Sequence, residues 1–185
     1  MDIIETSLHG VYVLEPKVFG DERGFFMETY NQDKFDEHFG KVTFVQDNHS
    51  KSSKGVLRGL HFQNPMSQGK LVRVTAGAVY DLVVDIRKGS PSFGKSFGLE
   101  LSGSNKKQLW IPPGLAHGFL TLEDNTEFLY KCTDFYAPQH DNTLLWNDAE
   151  LNIEWPKLDC EFTLSAKDQE GLRLAEFTEL PLFKA

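Results

Sequence analysis

Short apolar or alternating runs, each closed by turn-forming residues, recur along the chain at regular spacing. They read as strands over residues 11–14, 24–30, 42–46, 55–62, 70–76, 78–86, 93–101, 107–111, 117–121 and 126–132. Many short strands of even spacing specify an all-β sandwich or barrel. Ala78–Asp85 is apolar nearly throughout, as expected of a central strand covered on both faces. Residues 31–40 read as a short helix, with Asn31 as cap, Phe35 and Phe39 at i and i+4, and a stop at Gly40. A second helical turn opens at Ser165, and Ser165 to Asp168 has the capping-box spacing, with Asp in place of Glu. From local sequence alone, Asp168 is therefore a helix-dipole carboxylate. The 185 residues fit one domain, 1–185, with a full hydrophobic core.

Bulk charge narrows the partners. A net charge of -8 argues against a nucleic-acid-binding surface, so an anionic ligand needs a local basic cluster. No apolar run approaches the roughly 20 residues of a membrane span. The N-terminus lacks the basic-then-apolar order of a signal peptide. The two cysteines, Cys132 and Cys160, form no spacing motif and are expected to be free thiols in the cytoplasm. No G-x-G-x-x-G turn or P-loop is present, and no cofactor is expected.

Two blocks carry more information. One runs from Gly55 through Arg58, His61 and Gln63 to Lys70 and Gly77; the other is Pro112-Pro113-Gly114-Leu115-Ala116-His117. They resemble the paired motifs of cupins, which implies a cupin jelly-roll barrel flanked by a few short helices. In metal-binding cupins, two histidines and a glutamate of the first motif and the histidine of the second hold one ion. Here those positions carry His61, Gln63, Lys70 and His117, and the spacing from Gln63 to Lys70 is longer than usual. Protonated lysine cannot ligate a cation and repels it, so no metal is expected. A positive side chain and a free imidazole stand in the metal's place.

His61 and His117 fall at the positions of both motifs that point into the barrel. Neutral imidazole suits a general base, and it needs a carboxylate to hold its tautomer. Asp81 and Asp168 are both candidates for that carboxylate. Lys70 opens a strand, and a cation in a dry pocket stabilises an oxyanion far better than in water. Arg58, three residues before His61, offers a planar fork suited to phosphate. Alternation puts Phe128, Tyr130 and Cys132 on one face, with Tyr130 as a phenol donor facing the base. The charged turn at Asp21-Glu22-Arg23 leads into an aromatic strand. The polar run Gln46-Asp47-Asn48-His49-Ser50 follows an apolar one, and the end of a strand is where ligand groups are read.

Along nearly its whole length the chain resembles the dTDP-4-dehydrorhamnose 3,5-epimerases. Six ordered blocks carry the resemblance: residues 20–28, 46–50, 56–63, 69–74, 111–119 and 164–168. The resemblance implies that His61 removes a proton beside a keto group and pairs with Asp168. Tyr130 returns a proton on the opposite face, and Lys70 stabilises the enolate. Arg23, Glu28, Gln46, Asn48, Arg58 and Lys167 hold the thymidine diphosphate, with Asp47 in the same block, and Phe26 packs near the base. His117 lines the pocket. Asp141 replaces a glutamate at the nucleotide end, one methylene shorter, and Tyr136 is a wall of the sugar pocket. The family is a homodimer whose N-terminal strands cross between subunits, which assigns Arg23 and Glu28 to the neighbour's site. Relatives that invert one carbon only, or act on another nucleotide-linked 4-keto sugar, share nearly all these motifs. A sugar-binding cupin without chemistry would have lost the base or the acid, and both are present.

Overall fold

A computed structural model describes residues 1–184. Two antiparallel sheets pack face to face as the expected jelly roll. The first sheet has the order β1-β2-β10-β7-β12-β5, with β1 Asp2–Glu5, β2 Tyr12–Glu15, β5 Gln46–Ser52, β7 Lys70–Ala76, β10 Gln108–Ile111 and β12 Thr126–Cys132. The second has the order β13-β6-β11-β8-β9, with β6 Leu57–Gln63, β8 Ala78–Asp85, β9 Ser96–Ser102, β11 Leu115–Thr121 and β13 Asp141–Thr143. A separate hairpin, β3 Val18–Asp21 with β4 Gly24–Met27, pairs with neither sheet. Consecutive strands alternate between the sheets from β5 to β8 and again from β9 to β13, and the tight turn at Gly77 carries the chain from β7 to β8. Gly77 has φ +69°, and a Cβ there would lie 2.2 Å from the Thr126 hydroxyl, so only glycine fits.

The period-2 alternation sorts side chains into three cores. Val72 and Val74 of β7, Val79 and Val83 of β8, Phe119 of β11 and Phe128 of β12 fill the space between the sheets. Phe119 and Phe128 stack at 4.3 Å, so Phe128→Ala would cost about 3–5 kcal/mol. Leu82, Val84 and Ile86 point the other way and are covered by the C-terminal segment through Leu144, Leu151 and Leu180. The outer face of the first sheet packs Leu14, Leu71 and Trp110 beneath α1, Gln32–Phe39. That helix starts where the Asn31 side chain accepts from the Lys34 N–H and stops at Gly40, whose N–H donates to the Asp36 carbonyl. Ala78–Asp85 is the covered central strand that its apolar sequence predicts.

The local strand expectations need correction in three places. Residues 42–45 are not a strand; the strand is the polar run itself, β5, whose outward and inward residues are both hydrophilic because its inner face borders a cavity. The aromatic strand predicted over 24–30 stops at Met27. β1, β3 and β13 have only three or four residues each, too short to announce themselves by alternation. No helix among the described residues is long and apolar enough to cross a membrane.

Candidate active site

A cavity of about 610 Å³ opens between the sheets, lined among others by Asn48, Arg58, His61, Lys70, His117 and Tyr130. A smaller lobe of about 80 Å³ adjoins it and shares His61, Lys70 and Tyr130 as walls. His61 and His117 come from β6 and β11 of one sheet; Lys70 and Tyr130 come from β7 and β12 of the other. The cavity therefore separates imidazoles on one side from an ammonium and a phenol on the other.

Both aspartates left open by the sequence are used, one for each histidine. His61 Nε2 lies 2.5 Å from Asp168 Oδ1, and His117 Nε2 lies 2.9 Å from Asp81 Oδ2. Asp168 sits on α2, Ala166–Gln169, where its own N–H donates to the Ser165 hydroxyl cap at 3.2 Å. Burial raises the Asp168 pKa, but the hydrogen bonds with His61, Ser165 and the Gly59 backbone outweigh it and leave the carboxyl below its ordinary value. Asp168 thus stays ionised and fixes the His61 proton on Nε2, leaving the Nδ1 lone pair free. His117 and Asp81 are both buried. Burial pushes the His117 pKa down, against the attraction of Asp81, so this imidazole is held neutral.

Across the cavity, loss of water lowers the Lys70 pKa, opposed first by Cys132, its register partner on β12. Burial raises the Tyr130 pKa, which keeps the phenol protonated near neutrality and able to donate.

Arg58 reaches this cavity only because β6 is irregular. Three residues separate Arg58 from His61, which in a regular strand would put them on opposite faces. The register runs His61 to His117 and then Arg58 to Phe119, so Gly59 and Leu60 together oppose Gly118 alone. This bulge turns Arg58 inward. Gly59 has φ +120°, and a Cβ there would lie 2.6 Å from the Gly118 Cα, so the bulge requires glycine. Arg58 Nε donates to the Ser52 hydroxyl at 3.2 Å.

Lys167 lines the large lobe beside Asp168, and its ammonium also binds the Asp141 carboxylate. Asp141 and Tyr136 both line the smaller lobe, and the Tyr136 hydroxyl donates to Asp141 at 3.0 Å. Asp141 therefore sits beside the expected sugar wall and is linked to the large lobe through Lys167. Gln46 does not line the cavity; its amide oxygen accepts the Tyr136 N–H at 2.9 Å and its nitrogen donates to Asn48 at 3.1 Å. Asp47 points away, in a surface pair with Lys131 at 3.0 Å. Arg23, Phe26 and Glu28 do not join the cavity of their own chain. Arg23 pairs with Asp21, Phe26 is 70% exposed, and Glu28 binds Lys34 at 2.7 Å.

A cavity with this constellation in this strand order is what the sequence blocks imply, and comparison with known proteins decides the family. The dTDP-4-dehydrorhamnose 3,5-epimerase family model matches residues 5–176. The chain belongs to this family of carbohydrate epimerases. It is 59% identical over 170 residues to the dTDP-4-dehydrorhamnose 3,5-epimerase of Salmonella typhimurium, covering 91% of this chain and 92% of that one. Against the Pseudomonas aeruginosa enzyme of the same name it is 54% identical over 177 residues, covering 95% and 97%. The crystal structure of the Legionella pneumophila dTDP-6-deoxy-D-glucose-3,5-epimerase in complex with dTDP-4-keto-L-rhamnose superposes with a TM-score of 0.95 at 47% identity, covering 100% of this chain and 99% of that one.

In this 3,5-epimerase family member, one residue has a place that its motif position did not suggest. Gln63, where metal-binding cupins carry the second histidine, is buried, and its amide is engaged by backbone. Its nitrogen donates to the Met66 carbonyl at 2.7 Å and the Phe135 carbonyl at 3.1 Å, and its oxygen accepts the Ala137 N–H at 2.8 Å. Its even spacing from His61 gives it the same inward face, the one sequence signal that pointed here. Among the described residues, no three His, Cys, Asp or Glu side chains gather closely enough to share an ion.

Proposed function

We propose that the chain inverts carbons 3 and 5 of dTDP-4-dehydro-6-deoxy-D-glucose to give dTDP-4-dehydro-L-rhamnose. The observation that carries this reading is His61 on one sheet, paired with Asp168 of α2, facing Tyr130 and Lys70 on the other sheet across one cavity. A ketone at carbon 4 acidifies the hydrogens on both neighbouring carbons. His61 Nδ1 takes one such proton; the electron pair of the C–H bond moves into the ring and the carbonyl oxygen becomes an enolate oxygen. The Lys70 ammonium faces that oxygen. Tyr130 then gives its phenolic proton to the opposite face of the same carbon, the carbonyl re-forms, and the centre is inverted. His61 then gives its proton to solvent and the Tyr130 phenolate takes one up from solvent before the second carbon is handled. Each general acid or base step contributes about 10²–10⁴-fold, and the desolvated cation supplies oxyanion stabilisation beyond that.

Arg58, Asn48 and Lys167 in the large lobe suit a nucleoside diphosphate, in keeping with the dTDP-sugar held by the Legionella relative. Arg23, Phe26 and Glu28 fit the same reading if the β3–β4 hairpin crosses to a second subunit of a homodimer. Its isolation from both sheets supports this, as do the exposed rings of Phe19, Phe25 and Phe26, because a lone two-stranded hairpin is marginal in water. A cytoplasmic location accords with the free thiols of Cys132 and Cys160.

Proton NMR of dTDP-4-keto-6-deoxyglucose with the purified protein in deuterated water tests the proposal. Deuterium at both carbons 3 and 5, without added metal or cofactor, is the expected result. Deuterium at one carbon only would make the chain a single-site epimerase, and none at either would remove the epimerase reading.

A further inference from the structure

Residues 133–137 join β12 to the short helical turn at Pro138–His140, and they carry Tyr136. Side-chain amides take up four of the backbone polar groups of this segment. Gln68 donates to the Asp134 carbonyl at 2.8 Å; Gln63 donates to the Phe135 carbonyl and accepts from the Ala137 N–H; Gln46 accepts from the Tyr136 N–H. The three glutamines come from β5, from the end of β6 and from the loop before β7, so the segment is held from three directions. Asp141 holds the far end of Tyr136 through its hydroxyl. An exposed tyrosine is thus fixed at its backbone N–H and at its phenol, against a lobe whose other walls include His61, Lys70 and Tyr130.

We infer that Gln63, together with Gln46 and Asp141, is a positioning residue that fixes Tyr136 as the wall of the smaller lobe and so sets how many ring carbons reach the His61–Tyr130 pair. This rests on the epimerase reading above. One base and one acid serve two carbons on opposite sides of the ketone, so the ring must be presented in two orientations. Each orientation sets a different ring edge against the walls. A shifted wall therefore affects the two unequally, and a displacement of about 1 Å in a positioning group costs on the order of 10²-fold. Gln63 is the strongest member because it is buried and makes three bonds to backbone. Replacing it with methionine keeps the volume and removes every bond.

The test is deuterium incorporation at carbons 3 and 5 by Gln63→Met and by Tyr136→Phe, followed by NMR alongside dTDP affinity. The expected result is a change of about tenfold or more in the ratio of the two rates for Gln63→Met, with dTDP affinity preserved, and a smaller change in the same direction for Tyr136→Phe. A merely structural role would lower both rates together at constant ratio, and that outcome overturns the inference. If Gln63→Met does not fold, the ratio in Tyr136→Phe decides, and an unchanged ratio there overturns it. A wild-type chain that exchanges neither carbon would overturn the epimerase reading and this inference with it; exchange at both carbons with unaltered ratios in the variants would overturn the inference alone.

Discussion

His61 and His117 stand directly opposite one another on β6 and β11, and each gives its Nε2 to a different aspartate. The two pairs are alike in chemistry and unlike in setting. His117 and Asp81 are buried between the sheets, whereas the His61 ring is a third exposed at the cavity. Both rings line the cavity, and His61 is the more exposed of the two.

His61→Ala is expected to abolish epimerisation while leaving dTDP binding largely intact. Turnover by NMR and nucleotide affinity by calorimetry check this. Near-wild-type turnover would mean that the base lies elsewhere.

Tyr130→Phe is expected to slow inversion more than it slows solvent exchange at the substrate carbon. Without the phenol, His61 still removes the proton and returns a deuteron to the same face. Equal slowing of exchange and inversion, measured in one NMR time course, would argue against Tyr130 as the second donor.

Mixing subunits tests the exchange of the hairpin. If Arg23 serves the partner's cavity, Arg23→Ala and His61→Ala chains, each inactive, should regain roughly a quarter of wild-type activity on random re-association, because half the dimers carry one intact site. No recovery, with mixed dimers verified by mass, would place Arg23 in its own chain's site or outside both.

Acid should unfold the protein partly through Asp85. Burial raises its pKa, but hydrogen bonds from Arg87, Ser90 and Ser92 bring it down to about 2 from 3.8. A folded-state value below the unfolded one means stabilisation that is complete above the unfolded pKa and lost as pH falls through the folded one. Asp85→Asn should cost about 3–5 kcal/mol at neutral pH by leaving Arg87 unpaired. The gap to wild type in denaturant titrations should narrow by roughly 2 kcal/mol between pH 5 and pH 2. A gap independent of pH would contradict the assignment.

Gly59→Ala is expected to cost at least about 2 kcal/mol, from its φ of +120° and the approach to Gly118, and to weaken nucleotide binding by displacing Arg58. Thermal melts and dTDP affinity check both parts. Retained affinity would show that Arg58 does not depend on the bulge.

Much of this was legible in the sequence because alternation has a fixed period. Phe128, Tyr130 and Cys132 share an inward face as their spacing requires, and the central strand reads correctly from its apolar run. The bulge defeated that rule at Arg58, whose parity with His61 is wrong in any regular strand. β5 was misplaced by four residues because a strand lining a polar cavity has no apolar stripe to read. Local sequence left Asp81 and Asp168 open as partners of His61; the family resemblance pointed to Asp168, and in the fold Asp168 binds His61 while Asp81 binds His117. Gln63 looked like a missing ligand, and two of its three backbone partners, Phe135 and Ala137, lie in a segment that sequence does not place beside it.

That amide also closes the pocket to a simple metal graft. A histidine at position 63 would restore the lettering of a metal-binding cupin, yet it could not replace two donors and an acceptor at once, and the segment bearing Tyr136 would lose its anchor before any ion gained a ligand. Lys70 would still stand at the third position. A metal site here therefore needs changes at 63 and 70 together, and the first change alone weakens the anchor of Tyr136 without gaining an ion.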